Sequence, residues 1–354
     1  TSSPTDIAPV FLSEFPNRTV SKGGSITLSG HASGTPSPNY RWYYNGSRVS
    51  GETGPEYRIT SANSGHSGTY SVKAYNSAGN VQRSCELSVT SGSYPSGDYL
   101  VVDLSAGPSA SSYPVSYLTA VPPSGWTDEY KTTKLVLRRI PAGTFTMGSP
   151  SGELGRDSDE VQHQVTLTQD FYMGVFEVTQ KQWERVMGTW PSYFSNPSYR
   201  DSRPVEQVSY NAIRGSSAGA GWPANGNVDG DSFMGRLRAR TGRAFDLPTE
   251  SQWEYAGRAG TTTALNSGYN LTSTDSDARM SEVGRYWYNG GSGYSSGGDT
   301  SGGTAKVGSY LVNQWGLYDI HGNVWEWCLD WYGTYPGAVS DPKGVSSGSS
   351  RVFR

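Results

Sequence analysis

GLYDIHGNVWEWCLDWY, residues 316–332, sets Trp325, Trp327, Trp331 and Tyr332 around Glu326 and Cys328, one of the chain's two cysteines. A carboxylate and a thiol among aromatics can belong to an active site or to a packed turn. A Gly-Asn pair such as Gly322-Asn323 can turn the backbone tightly and aim successive carbonyls inward. Cys328 lies between apolar residues and reads as a buried structural thiol. The tryptophans read as core, since each carries a large apolar payload.

Working outward, ten of the eleven tryptophans follow residue 125, which places the larger core in the second part of the chain. A length of 354 residues suggests two domains. Net charge is −3 and the 28 basic residues are scattered, so nothing marks a nucleic-acid or anionic-membrane surface. With Gly at 45, Tyr at 24 and charged residues at 17%, the composition fits loop-rich, β-rich extracellular proteins. No apolar run approaches the roughly 18 residues of a membrane span, and TSSPTDIAP reads as an already mature start. Cys85 and Cys328, far apart, cannot form a disulfide framework.

Residues 7–90 read as short alternating strands, SITLSGHA, NYRWYYNG, EYRIT, GTYSVKAYN and VQRSCELSV, separated by turn residues. Trp42, followed by SGHSGTYSVKAYN, resembles the immunoglobulin superfamily. That resemblance implies a tyrosine corner at Tyr70, with its hydroxyl on nearby backbone, and would put a disulfide at Gly30 and Val72, where no cysteine stands. The sandwich must then rest on packing around Trp42, Leu28, Ile59 and Val72, with Cys85 as a small apolar residue. Residues 91–131 read as a linker whose YLVVDLS strand is placed to join the next domain's sheet.

From residue 132 the texture changes. KLVLRRIPAGTFTMGS reads as a strand pair turned at Pro141-Ala142-Gly143, and VQHQVTLTQDFYMGVFEVT as further strand. Thr179 with Gln182, and Thr249 with Gln252, predict two helices opened by capping boxes, and Ser232 opens a third through SFMGRLRART.

RIPAGTFTMGS, FYMGVFEVTQKQWERVMG, RPVEQVSY, RAFDLPTESQWEYAGRAG and GLYDIHGNVWEWCLDWY resemble, in order and spacing, the sulfatase-modifying-factor family that includes formylglycine-generating enzymes. The resemblance implies a multi-domain chain: an all-β immunoglobulin-like sandwich, then an irregular α+β domain of C-type-lectin-like fold over 132–354. It implies a structural calcium held by the carbonyls of Gly322 and Val324 and the carboxylate of Glu326, with the His321 carbonyl as a further candidate. The alternative for Glu326 is a hydrogen bond to buried backbone. A second family calcium site matches at Asp299, whereas Arg285 stands where an asparagine ligand is expected. Independently, Asn225, Asn227 and Asp229 alternate before Gly230 like the first half of an oxygen loop, but the twelfth position is Arg236, which favours a solvated turn.

The family's oxidase uses copper and a cysteine pair just after a V-x-R-G-G-S segment, which would begin at the terminal SSRVFR, so the domain reads as C-terminally incomplete. Among the residues supplied no thiol pair suits copper, and the histidines lack the spacing of an iron cluster. No G-x-S-x-G elbow supports a serine hydrolase. The expected function is therefore an extracellular or cell-surface binding, display or structural protein. Its partner would be a protein or carbohydrate, or further copies of itself. The alternative is a formylglycine-generating oxidase that matures sulfatases, should a cysteine pair follow Arg354.

Overall fold

The computed structural model describes residues 6–21, 26–59, 62, 64–90, 97–290 and 301–354. The chain divides into two compact units, Thr1–Tyr94 and Pro95–Arg354.

Among its described residues the first unit contains nine strands, β1 (Ile7–Phe11), β2 (Arg18–Ser21), β3 (Ile26–Ser29), β4 (Ala32–Thr35), β5 (Asn39–Tyr44), β6 (Ser47–Arg48), β7 (Glu56–Ile59), β8 (Gly68–Asn76) and β9 (Gly79–Thr90). A five-stranded sheet in the order β2-β9-β8-β5-β6 and the pairs β3-β7 and β1-β4 make an immunoglobulin-like sandwich. Trp42, Val72, Leu28, Ile59, Tyr70 and Cys85 are all buried in one cluster. Trp42 satisfies its indole by donating to the Gly54 carbonyl at 2.9 Å. At the corner, Tyr44 from the neighbouring strand donates its hydroxyl to the Gly65 and Ser67 carbonyls, while Tyr70 packs its ring against Tyr44 and Tyr57.

Gly30 and Val72 face each other where the disulfide pattern places its cysteines. A Cβ on Gly30 would stand 3.2 Å from the Val72 Cβ and 2.6 Å from its Cγ1, so Val72 fills the space a bridge would take. Because bridged Cβ atoms stand about 3.5–4.5 Å apart, the double variant Gly30→Cys/Val72→Cys should oxidise after a small opening of the sheets. Closing a loop of roughly 40 residues stabilises by about 4 kcal/mol in the chain-entropy view. Melting with and without reductant measures the gain, and thiols still reactive in the native oxidised protein would refute the geometry.

In the second unit, β10 (Tyr99–Asp103) and β11 (Val115–Leu118) precede β12 (Lys134–Ile140), β13 (Gly143–Met147), β14 (His163–Leu167) and β15 (Phe171–Gly174). Then come α1 (Gln180–Met187), α2 (Tyr210–Arg214), α3 (Phe233–Thr241), α4 (Glu250–Arg258) and α5 (Ala278–Val283), followed by β16 (Trp327–Trp331), β17 (Val339–Ser340) and β18 (Arg351–Phe353). From Pro95 onward the stretch read as a linker belongs to this unit, and the strand expected to join the sheet does so as β10, an inner strand of β11-β10-β12-β15. Its alternate residues serve two cores: Leu100 and Val102 pack with Trp183 and Leu237, and Tyr99 and Val101 pack with Phe176 and Val307.

The expected hairpin at Pro141-Ala142-Gly143 is not formed. β12 pairs with β10 and β15, whereas β13 pairs with β14 in a separate sheet that also holds β17. Leu135, Val136 and Leu137 are all buried, so β12 needs cover on both faces, which an edge hairpin would not provide. Both capping boxes form, at Thr179 with Gln182 and Thr249 with Gln252, and Ser232 caps α3. Trp183 of α1 stacks on Phe233 of α3 at 5.0 Å. Among the described residues no helix is long and apolar enough to cross a membrane.

Candidate functional site

Residues 316–326 cross the segment around 285 at close quarters. A Cβ at Gly322 would lie 2.1 Å from the Arg285 carbonyl oxygen, and one at Gly284 would lie 1.6 Å from that of His321, so glycine is required at both crossings. Gly322 and Asn323 have φ of 97° and 66°, in the left-handed region. Asn323 anchors the turn: its N–H donates to Arg285 O at 2.7 Å, its Oδ1 accepts from Ala305 N at 2.8 Å and its Nδ2 donates to Glu177 Oε2 at 2.9 Å.

Of the proposed ligands, Glu326 accepts from the Trp253 indole at 3.2 Å through Oε2, and its backbone pairs with Arg354 in both directions. The Gly322 carbonyl accepts from Val324 N at 2.9 Å, which leaves it a second lone pair. Burial, with the negative charge of Asp319, pushes the Glu326 carboxyl up to about 7. The side chain's hydrogen bond is thus to an indole and not to buried backbone, and among the described residues it is a desolvated acid without an ion-pair partner.

Two acids that sequence reasoning passed over share this environment. Asp319, 2% exposed, accepts from Gly308 N at 2.6 Å through Oδ2, while its Oδ1 is buried without a partner. Burial pushes its carboxyl up to about 6. Glu177, 8% exposed, also has one oxygen, Oε1, buried without a partner, and burial followed by the charges of Asp319 and Glu326 raises it well above the usual carboxylate range. The available signal was an acid inside an apolar run, LYDIH and VFEVT, where a charge is costly unless compensated.

Three mutually repelling buried acids, two of them with an orphaned oxygen, are a lining that suits a cation. Among the described residues no three His, Cys, Asp or Glu side chains converge closely enough to cage a metal alone, so a cation here must draw on backbone carbonyls. That is the chemistry of a hard ion with six to eight oxygen ligands.

Asp299 lies outside the described residues. Arg285, standing where the resemblance expects an asparagine ligand, donates to the Asn289 carbonyl at 2.6 Å. In the 225–230 stretch, Asp229 turns back to accept from the N–H groups of Ser217, Ala218 and Gly219, and Asn225 accepts from Asn227 N. These carboxylate and amide oxygens organise a turn.

Cys328 is fully buried, and burial raises its thiol well above the ordinary range, which opposes a reactive thiolate. Trp327 is half-buried and donates to Val208 O at 3.1 Å. Trp325 behaves differently. It is 76% exposed and stands edge-on to Phe353, itself 48% exposed, with centroids 5.0 Å apart. A cavity of about 180 Å³ lies beside Trp253, with His321, Arg258, Glu254, Tyr335 and Arg354 in its wall. Burial pushes His321 down to about 4, and its Nε2 accepts from Asn266 N, so the ring is held neutral.

Residues 127–354 match the model of the Sulfatase-modifying factor enzyme 1-like domain, and residues 8–76 that of an immunoglobulin domain. The chain is 33% identical over 212 residues to the "Chaperone protein LppX" of Paenibacillus barcinonensis, covering 53% of this chain and 71% of that protein. It is 29% identical over 251 residues to the formylglycine-generating enzyme of Mus musculus, covering 62% and 64%, so it spans just under two thirds of that relative. The corresponding Streptomyces coelicolor enzyme is 30% identical over 251 residues, covering 61% and 76%.

Proposed function

Because the sulfatase-modifying factor enzyme 1-like model matches more than half of its length, the chain belongs to that family, and we propose that this member is an extracellular binding or display protein. Its second unit is the recognition scaffold, and its immunoglobulin-like unit a spacer or self-assembly module. The observation that carries this is Trp325. A tryptophan left 76% exposed beside Phe353, directly ahead of a buried acid, gives up a burial worth about 1.5–3 kcal/mol for a large apolar side chain. Amphipathic rings held this way suit stacking on a sugar face or an apolar protein surface. Calcium, held by the carbonyls of Gly322 and Val324 with Glu326 and Asp319, would neutralise the buried acids and stiffen the turn beneath the platform.

Retention of the full-length protein in gels containing each of a panel of polysaccharides tests this. Binding is expected to one class, with Trp325→Ala reducing retention about tenfold, the order of one lost aromatic contact at an interface. Unchanged retention of the variant would sink the reading.

The relatives named formylglycine-generating enzymes favour a second reading, oxidation of a peptide cysteine to formylglycine with copper and O₂. Buried Cys328 is not a donor for that metal. Incubating the full-length protein with Cu(I), air and a cysteine-containing peptide, then trapping aldehyde with a hydrazide, separates the two: labelled peptide supports the oxidase.

A further inference from the structure

Glu177 lies 146 residues from Asn323 in sequence and bonds it directly. It sits between the end of β15 and the Thr179 cap of α1, two elements tied into the main sheet and its helix, so its backbone is held independently of the turn. One carboxylate oxygen accepts from Asn323 Nδ2 at 2.9 Å. The other oxygen is buried with no partner. Asn323 is the residue that must hold a left-handed backbone if the flanking Gly322 and Val324 carbonyls are to keep their directions.

Resting on the calcium reading above, we propose that Glu177 is the positioning residue of the cation site: it clamps the Asn323 turn and supplies outer-sphere negative charge that raises affinity for a hard cation. Neighbours that orient ligands typically contribute 10–100-fold to metal affinity. A carboxylate left half-unpaired in the interior destabilises the metal-free protein, and a cation that it attracts offsets that loss. A purely structural acid would bond through both oxygens and would make no demand on a cation.

The test uses Tb(III) as probe, with luminescence excited through tryptophan, since the Trp253 indole contacts Glu326. Ca(II) competition then gives affinities for the intact protein, Glu177→Gln and Glu177→Ala. The near-isosteric Gln variant should keep the fold, bind about 10-fold more weakly, and melt at the same or a higher temperature than wild type in chelator. Equal affinity of wild type and Glu177→Gln overturns the role of Glu177. Equal weakening accompanied by a lower melting point in chelator also overturns it, since that is what a structural bond alone would give. Absence of any Tb(III) or Ca(II) binding by wild type instead removes the calcium reading itself. Asn323→Gly, which keeps the left-handed backbone but removes the amide contacted by Glu177, should weaken binding to a similar degree, and full retention of affinity there counts against the clamp.

Discussion

Replacing Arg214 with alanine is expected to lower the melting temperature of the second unit sharply while the immunoglobulin-like unit still melts where it did. Arg214 ends α2 and is fully buried. Its guanidinium binds Asp246 through two nitrogens at 2.6 and 2.9 Å, donates to the Tyr210 hydroxyl at 3.2 Å and to Asn227 O at 3.2 Å, and contacts Gly219 O. The loops around 219 and 227 have little regular structure, so this one fork replaces the hydrogen bonds a sheet would supply. Alanine strands the buried Gly219 carbonyl, releases that of Asn227, and leaves Asp246 with Arg238 at 2.8 Å and the Leu247 N–H at 2.9 Å. Removing one partner of a buried pair costs about 3–5 kcal/mol, a large share of the 5–15 kcal/mol typical of a domain. Lysine should not rescue, since a point ammonium cannot reproduce the planar fork. Calorimetry resolving the two units checks this. A loss below about 1 kcal/mol, the value of a surface pair, would show that the guanidinium is not the keystone described.

On the calcium reading proposed above, chelation should lower the melting temperature of the second unit in a strongly pH-dependent way. A ligand present at 100 times its dissociation constant stabilises by about 2.7 kcal/mol, so chelation at pH 8 should produce a shift of that order. The sign follows from Glu326. Its folded carboxyl, pushed up to about 7, holds a proton between about pH 4.5 and 7 that the unfolded chain has released. Without metal, that acid leaves the protein most stable below its unfolded value, and stability falls as pH rises through about 7. Calcium competes with the same proton, so its affinity should weaken up to about tenfold per unit below pH 7. The chelation-induced shift should therefore be largest near pH 8 and small near pH 5. Glu326→Gln should abolish both the shift and its pH dependence. A shift that is unchanged across this range would separate calcium from Glu326.

The elements that depend on neighbours in sequence were legible. Thr179 with Gln182 and Thr249 with Gln252 announced helix starts because a capping box is closed within four residues. Strand periodicity located β5, β7 and β8, and the five ordered motifs led to the family and its two-unit architecture. The failure at Pro141-Ala142-Gly143 has a definite cause. Two adjacent strands joined by turn residues look alike whether they pair with each other or with different sheets, and only the two-sided burial of Leu135, Val136 and Leu137 decides it.

The candidate site divides the same way. Gly322, Val324 and Glu326 fall in one short segment whose residue types suggest a carbonyl-lined turn. Glu177 and Asp319 were passed over because their significance lies in shared burial and orphaned oxygens, which no local pattern encodes. Sequence by itself determined the two units, the helix caps and the Gly-Asn turn, because each rests on backbone chemistry within a few residues. Only the tertiary structure decided which strands pair, which tryptophan of the W-E-W run stays in water, and which distant acids surround the turn. Those outcomes depend on what the fold removes from solvent, and desolvation is a property of the packed chain.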